Sequence, residues 1–225
     1  MCIRDSFSTE AFGEALRTIA GAVHITLGLT FGSFILAFVL AIFMAMLSLS
    51  KNRVIQWILR VWISLFRGTP LLAQLFFFVY GLFPLIPGLK DMALLPKGIL
   101  CLALAFSAFM SETIRGAIQS VDKGQMEACL SCGMTTGQAY RRVVLPQAFH
   151  LAVPSLMNNF IECFKGTALV SMVGVTDMML TAKMLTARNL RFVEGYLAVL
   201  LLYWVINMVF VAIQKRLELR LDAKY

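Results

Sequence analysis

Residues 18–50 run for 33 positions without an Asp, Glu, Lys or Arg. A stretch of about 10–14 apolar residues suits a buried helix of a soluble domain, whereas about 20 span a bilayer. The run is therefore expected to cross a membrane as one long or tilted helix, densest over 25–49. Composition points the same way: 60% of the 225 residues are hydrophobic and only 14% are charged. Mean hydropathy is +0.81. One soluble core of this size cannot hide so much apolar surface. The expectation is an all-α integral membrane protein with one transmembrane domain over residues 1–225.

Four further spans follow from the same criterion. Residues 54–83 are interrupted only by Arg60 and Arg67. Thirty helical residues would reach about 45 Å against a hydrocarbon core of about 30 Å. The excess must protrude or break, and Arg67-Gly68-Thr69-Pro70 supplies a helix break. A third helix is expected over about 97–115, with Glu112 near one interface. A fourth runs over about 154–176 and carries Glu162 and Lys165 inside it. The fifth is the charge-free run 195–214, followed by the cations Lys215, Arg216, Arg220 and Lys224.

Charge asymmetry orients these five spans. With the N-terminus outside, the inner side holds Lys51, Arg53, Arg115, Lys123, Arg141, Arg142 and the four tail cations. The outer side holds Arg4, Arg17, Lys90, Lys97, Lys183, Arg188 and Arg191. Ten against seven favours N-out, C-in by the positive-inside rule. The net charge of +8 is thus assigned to membrane orientation, and no nucleic-acid partner is expected. The leader MCIRDSFSTE has no apolar segment behind its arginine, so it reads as an uninformative polar leader rather than a cleavable signal.

The connection between spans three and four, 116–153, is too long for a turn and too patterned for a linker. Residues 124–132 read as a short helix with Gly133 as its C′ residue. Thr135 and Gln138 have capping-box spacing for a second short helix through Arg141 and Arg142, which Leu145-Pro146 should stop. Cys129 and Cys132 form an isolated Cys-x-x-Cys without a nearby His, so small-residue packing is expected there and no metal site. Cys101 and Cys163 lie in apolar runs, and His24 and His150 read as satisfied polar residues.

At these residues the chain resembles the permease subunits of ABC importers. Glu127-Ala128-Cys129, three residues, Gly133, nine residues and Val143-Val144-Leu145-Pro146 follow the family's EAA loop. Cys129 replaces the second Ala and Val143 replaces Ile. Phe66-Arg-Gly-Thr-Pro-Leu-Leu-Ala-Gln-Leu-Phe76, Ser111-Glu-Thr-Ile-Arg-Gly-Ala-Ile-Gln-Ser120, Leu145-Pro-Gln147 and Phe164-Lys-Gly-Thr-Ala-Leu-Val-Ser171 are similar to the polar amino-acid branch of that family. The resemblance spans about 20–220. It implies a five-span permease of a bacterial inner membrane that translocates a polar amino acid. It also implies partners: a cytoplasmic ABC ATPase that binds ATP and Mg, an extracytoplasmic solute-binding protein, and a second permease copy or sister permease. Glu127, Ala128, Gly133, Leu145 and Pro146 would couple the loop to the ATPase. No Gly-x-x-x-x-Gly-Lys-[Ser/Thr] loop occurs in the sequence, so ATP hydrolysis is expected in another polypeptide and no cofactor in this chain.

Asn158, Asn159, Glu162 and Lys165 share one broad helical face. Ionisable residues inside a membrane face a cavity or a partner, so this face is either a wall of the solute path or a structural ion pair with amides bonding neighbouring helices. Glu112 and Arg115, three apart, suit a structural ion pair. A stand-alone channel or ion-coupled carrier, with Glu162 and Lys165 as gate, is the rival reading. It lacks the inverted repeats and paired broken helices that such carriers show. An intramembrane enzyme lacks nucleophile and metal motifs.

Overall fold

The computed structural model describes residues 7–222 apart from 49 and 51. Expectations placed on residues 1–6, on Lys51 and on Lys224 fall outside the described residues. Within them there are ten α-helices and no strand.

The first apolar run belongs to one candidate span, Thr9–Ser48, which begins before the run and is divided by a turn near its start. Helix α1 spans Thr9–Ala20 and α2 spans Val23–Ser48, joined across Gly21 and Ala22. Ser8 caps α1 by accepting the Ala11 amide at 3.3 Å. The end of the leader is therefore a helix start and not an uninformative tail. Helix α1 buries Ala15 and Ile19 and leaves Glu10, Glu14 and Arg17 exposed. Those exposed charges on an amphipathic helix are what end a charge-free scan at residue 18.

The break in the second run lies where the sequence places it. Helix α3, Arg53–Gly68, and α4, Leu71–Phe76, meet across Thr69 and Pro70, and the path turns by 112°. Pro70 caps α4, where a missing N–H costs nothing. The chain then widens into a π-helical turn, Phe77–Leu82, and tightens into a 3₁₀ turn, Phe83–Leu85.

Helix α5, Leu94–Ser120, is longer at both ends than expected. It is followed by the short helices α6, Lys123–Ser131, and α7, Thr136–Ala139. Leu145-Pro146 does not stop the chain's helical path. A π turn, Tyr140–Val144, leads directly into α8, Leu145–Val170. The Leu145 amide bonds the Tyr140 carbonyl five residues back. The proline, within the first two positions of α8, carries no N–H and leaves none unmade. The fourth long helix thus begins at 145 rather than about 154, with Pro154 inside it. It ends in a 3₁₀ turn, Ser171–Val173, and left-handed Gly174. Helix α9, Met178–Asn189, then occupies what reads as an outer loop, and α10, Phe192–Asp222, closes the fold.

Three stretches, Thr9–Ser48, Leu94–Ser120 and Phe192–Leu221, are each long and apolar enough to cross a membrane. Two bent pairs bring the total to five if each is one span: α3 with Leu71–Leu85, and Thr136–Val173 with α9, bent by 48°. The most extensive pairing is α2 against α5. Both helices bury small residues, Ser33, Ala37, Ala41 and Ala45 on α2 and Cys101, Ala105 and Ala108 on α5. In lipid, no hydrophobic force drives helices together, so small side chains that allow close approach carry the association. Helices α3, α4, α5 and α8 complete this core, while α1, α9 and α10 form a second one against α8. Phe31, Ile35, Val39 and Phe43 on α2 and Leu200, Trp204, Met208 and Val209 on α10 stay exposed.

Candidate functional site: a helical loop and a charged cleft

The loop between α5 and α8 is built from local capping chemistry. Asp122 accepts the Gly124 amide at 2.6 Å to start α6. The helix ends with Gly133 at φ +79°, the left-handed position. The Gly133 amide bonds Leu130 O at 3.0 Å and the Met134 amide bonds Cys129 O at 3.1 Å, the paired bonds of a Schellman motif. Thr135 and Gln138 then form a reciprocal capping box at 3.3 and 2.9 Å. Val121, Val144 and Ala148, with Ile118, Met126 and Tyr140 packed on them, seat the loop on the bundle. Gln147 Nε2 donates to Gln125 Oε1 at 3.3 Å and ties α8 to α6.

Glu127, Ala128, Leu130 and Gly133 are exposed on this knob. Leu145 and Pro146 are exposed as well. They line a hollow of about 370 Å³ with Phe38 and Ile42 of α2 and Ile114 and Ile118 of α5. Cys129 is buried, Cys132 is exposed, and no cluster of metal-ligating side chains occurs among the described residues.

The elbow between α3 and α4 borders the second feature, a cleft of about 420 Å³. Thr69, Leu71 and Gln74 of the elbow face Phe106 and Phe109 of α5 and Asn159, Glu162, Lys165 and Leu169 of α8. The predicted ion pair Glu112–Arg115 is present and bidentate, at 2.8 Å for each bond. Arg67 joins it from the elbow, 3.5 Å from Glu112 Oε2, and its guanidinium stands 5.8 Å from the Phe109 ring centroid. Asn159 Nδ2 donates to Thr113 Oγ1 at 2.9 Å, linking α8 to α5 beside these charges. Glu162 and Lys165 pair with each other at 2.9 Å, their side chains 63% and 53% exposed. Asn158 departs from this group: it accepts from Gln214 of α10 at 3.2 Å. The four residues of the predicted face thus divide, three on the cleft and one towards α10.

Two buried groups carry no sequence expectation. Gln74, within the quoted elbow motif, donates through Nε2 to Phe66 O, Thr69 O and Thr69 Oγ1 at 2.9, 3.0 and 2.9 Å. It locks the 112° turn, and the visible signal is a lone amide in an otherwise apolar segment. Asp177, fully buried, caps α9 by accepting the Leu180 amide at 2.8 Å and receives the Tyr203 hydroxyl at 3.3 Å. Its signal is a carboxylate directly ahead of a helical run.

The described residues form a helical bundle with membrane-length apolar helices, an exposed capped knob at the α5–α8 connection and a charged cleft, an arrangement suited to a membrane transport subunit. The chain belongs to the family described as binding-protein-dependent transport system inner membrane component, which matches residues 37–223. It is 39% identical over 212 residues to a probable amino-acid permease protein YxeN of Bacillus subtilis (strain 168), covering 94% of this chain and 95% of that one. It is 41% identical over 191 residues to a probable amino-acid ABC transporter permease protein PatM of Vibrio harveyi, covering 85% and 86%. A crystal structure of an amino acid ABC transporter with histidines superposes at TM-score 0.89 with 30% identity, over 96% of this chain and 100% of that one. The MetNI methionine ABC transporter in an inward-facing conformation matches in fold at TM-score 0.76 and 18% identity, over 96% and 99%. This chain is accordingly a membrane-embedded ABC importer permease subunit. In these systems a separate ATPase subunit hydrolyses ATP, and a binding protein supplies the solute. The importer reading therefore stands over the channel or carrier.

Proposed function

We propose that the chain translocates a polar amino acid through the cleft between the α3–α4 elbow and α8. The observation that carries this is the Glu162–Lys165 pair in that cleft. One acidic and one basic side chain side by side complement the two charges of a zwitterion. The relatives named as amino-acid permeases support the same solute class. Asn159, Glu162 and Lys165 contribute the polar wall, while Asn158 meets α10 at its edge. The molecule crosses the membrane five times, N-terminus outside, with the connection of about residues 116–153 in the cytoplasm. A second copy or a sister permease completes the path. ATP and Mg bind the partner ATPase, whose closure is transmitted through Glu127, Ala128 and Gly133, with Leu145 and Pro146 relaying movement into α8.

The test is ATP hydrolysis by the assembled permease–ATPase complex as binding proteins loaded with different amino acids are added. Stimulation by at least one amino-acid-loaded binding protein is expected. Stimulation only by a binding protein loaded with a sugar or a metal would refute the assignment.

A further inference from the structure

Gln74 lines the cleft and is 8% exposed, yet half of its amide has no partner. Its Nε2 donates to two backbone carbonyls, Phe66 O and Thr69 O, which accept only and so fix the nitrogen on that side. Thr69 Oγ1 donates to Leu65 O at 2.8 Å and keeps a lone pair for Nε2. Oε1 is left shielded from solvent without a donor. A buried carbonyl without a hydrogen bond is destabilising, and each such group in a native fold calls for an explanation. The rest of the cleft narrows the choice of donor. Asn159, Glu162 and Lys165 supply a polar corner, and Leu71, Phe106, Phe109 and Leu169 are apolar. Its volume of about 420 Å³ lies within the roughly 300–1,000 Å³ of small-molecule sites.

We propose that Gln74 Oε1 is the acceptor for the α-ammonium of the transported amino acid. Glu162 attracts the same ammonium and Lys165 takes the carboxylate. Gln74 is then a selectivity residue as well as the clasp of the elbow: the group that fixes the turn also reads the solute. Because Oε1 is shielded here, the ammonium reaches it as the elbow shifts, so solute binding and elbow geometry are linked. The inference rests on the amino-acid reading given above.

The experiment is equilibrium binding to the purified permease–ATPase complex without binding protein. The radiolabelled probes are L-arginine, L-glutamine and L-cystine. Each bound amino acid is competed against a partner lacking the α-ammonium, such as 5-guanidinopentanoate for arginine or 4-carbamoylbutanoate for glutamine. The wild type should prefer the amino acid by about tenfold or more, the usual scale for a hydrogen bond to a charged group. Gln74→Met should reduce that preference by weakening the amino acid alone, leaving the share that Glu162 supplies. Gln74→Asn, which retracts the oxygen by one methylene but keeps an amide, should do the same where the methionine variant does not assemble. Equal weakening of both competitors, or an unchanged preference, would mean that Gln74 is only a clasp. Absence of binding of all three amino acids to the wild type would overturn this assignment, while the amino-acid reading stands or falls separately on stimulation of ATP hydrolysis by the loaded binding protein.

Discussion

Gly133 is the position at which the loop's geometry and its proposed role are most separable. Its φ of +79° is left-handed, and nothing lies within 4 Å of an ideal Cβ built there. A substitution therefore meets no clash, and its whole effect is backbone conformation plus whatever it presents on the surface. A residue with a Cβ in this region costs about 1–2 kcal/mol, and Asn costs less because its side chain bonds locally. One or two kcal/mol is about a 5–30-fold change in a conformational ratio, which bounds the loss of correctly bent loop. Gly133→Asn should thus keep most coupling, Gly133→Val should lose up to that factor, and Gly133→Asp should lose coupling through its charge at the contact surface. The assay is solute-stimulated ATP hydrolysis and transport at matched membrane levels, with assembly followed by co-purification of the ATPase. The helices of the bundle lie apart from this turn, so insertion should be unchanged in all three. A valine variant that hydrolyses and transports at the wild-type rate would refute the reasoning.

Glu162→Gln should change uptake of cationic solutes more than neutral ones without loss of protein. The pair it breaks is more than half exposed, and such pairs add only about 0–1 kcal/mol of stability; a fall in uptake tracking protein level would contradict this. Cysteines introduced near Lys90 and Lys183 should react with an impermeant reagent from outside, and those near Lys123 and Lys215 should not. Gly98→Val should lower the melting temperature and the yield of the complex. Its Cβ would lie 2.7 Å from Val170 Cγ1, a β-branched side chain with little freedom to move, and overpacking costs about 1–3 kcal/mol. An unchanged melting curve would place the α5–α8 contact elsewhere.

Long apolar runs and helix-capping signals were the legible part of this fold. The elbow after Gly68, the turn at Gly133 and the Thr135–Gln138 box all lie where sequence chemistry puts them. Helices α1 and α9 are hidden from a charge-free criterion for spans. Helix α1 carries Glu14 and Arg17 on its exposed face, and α9 carries Lys183 and Arg188. Leu145-Pro146 behaves differently: proline breaks a helix because it has no N–H and its ring crowds the carbonyl four residues back, and here it falls in the first turn of α8 directly after a π turn, where it is tolerated. Within the cleft, periodicity grouped Asn158 with Asn159, but adjacent residues on a helix stand about 100° apart, and tertiary partners separate them. The convergence of Arg67 on Glu112 and of Gln74 on Phe66 O depends on the elbow's angle, which no local pattern encodes.

The most direct test of the central claim is uptake of radiolabelled amino acid into proteoliposomes containing this permease, its ATPase and the loaded binding protein. The amino acid should accumulate only with ATP and Mg on the ATPase side and only with the binding protein on the opposite side. Uptake that persists in vesicles holding the permease without the ATPase would contradict it.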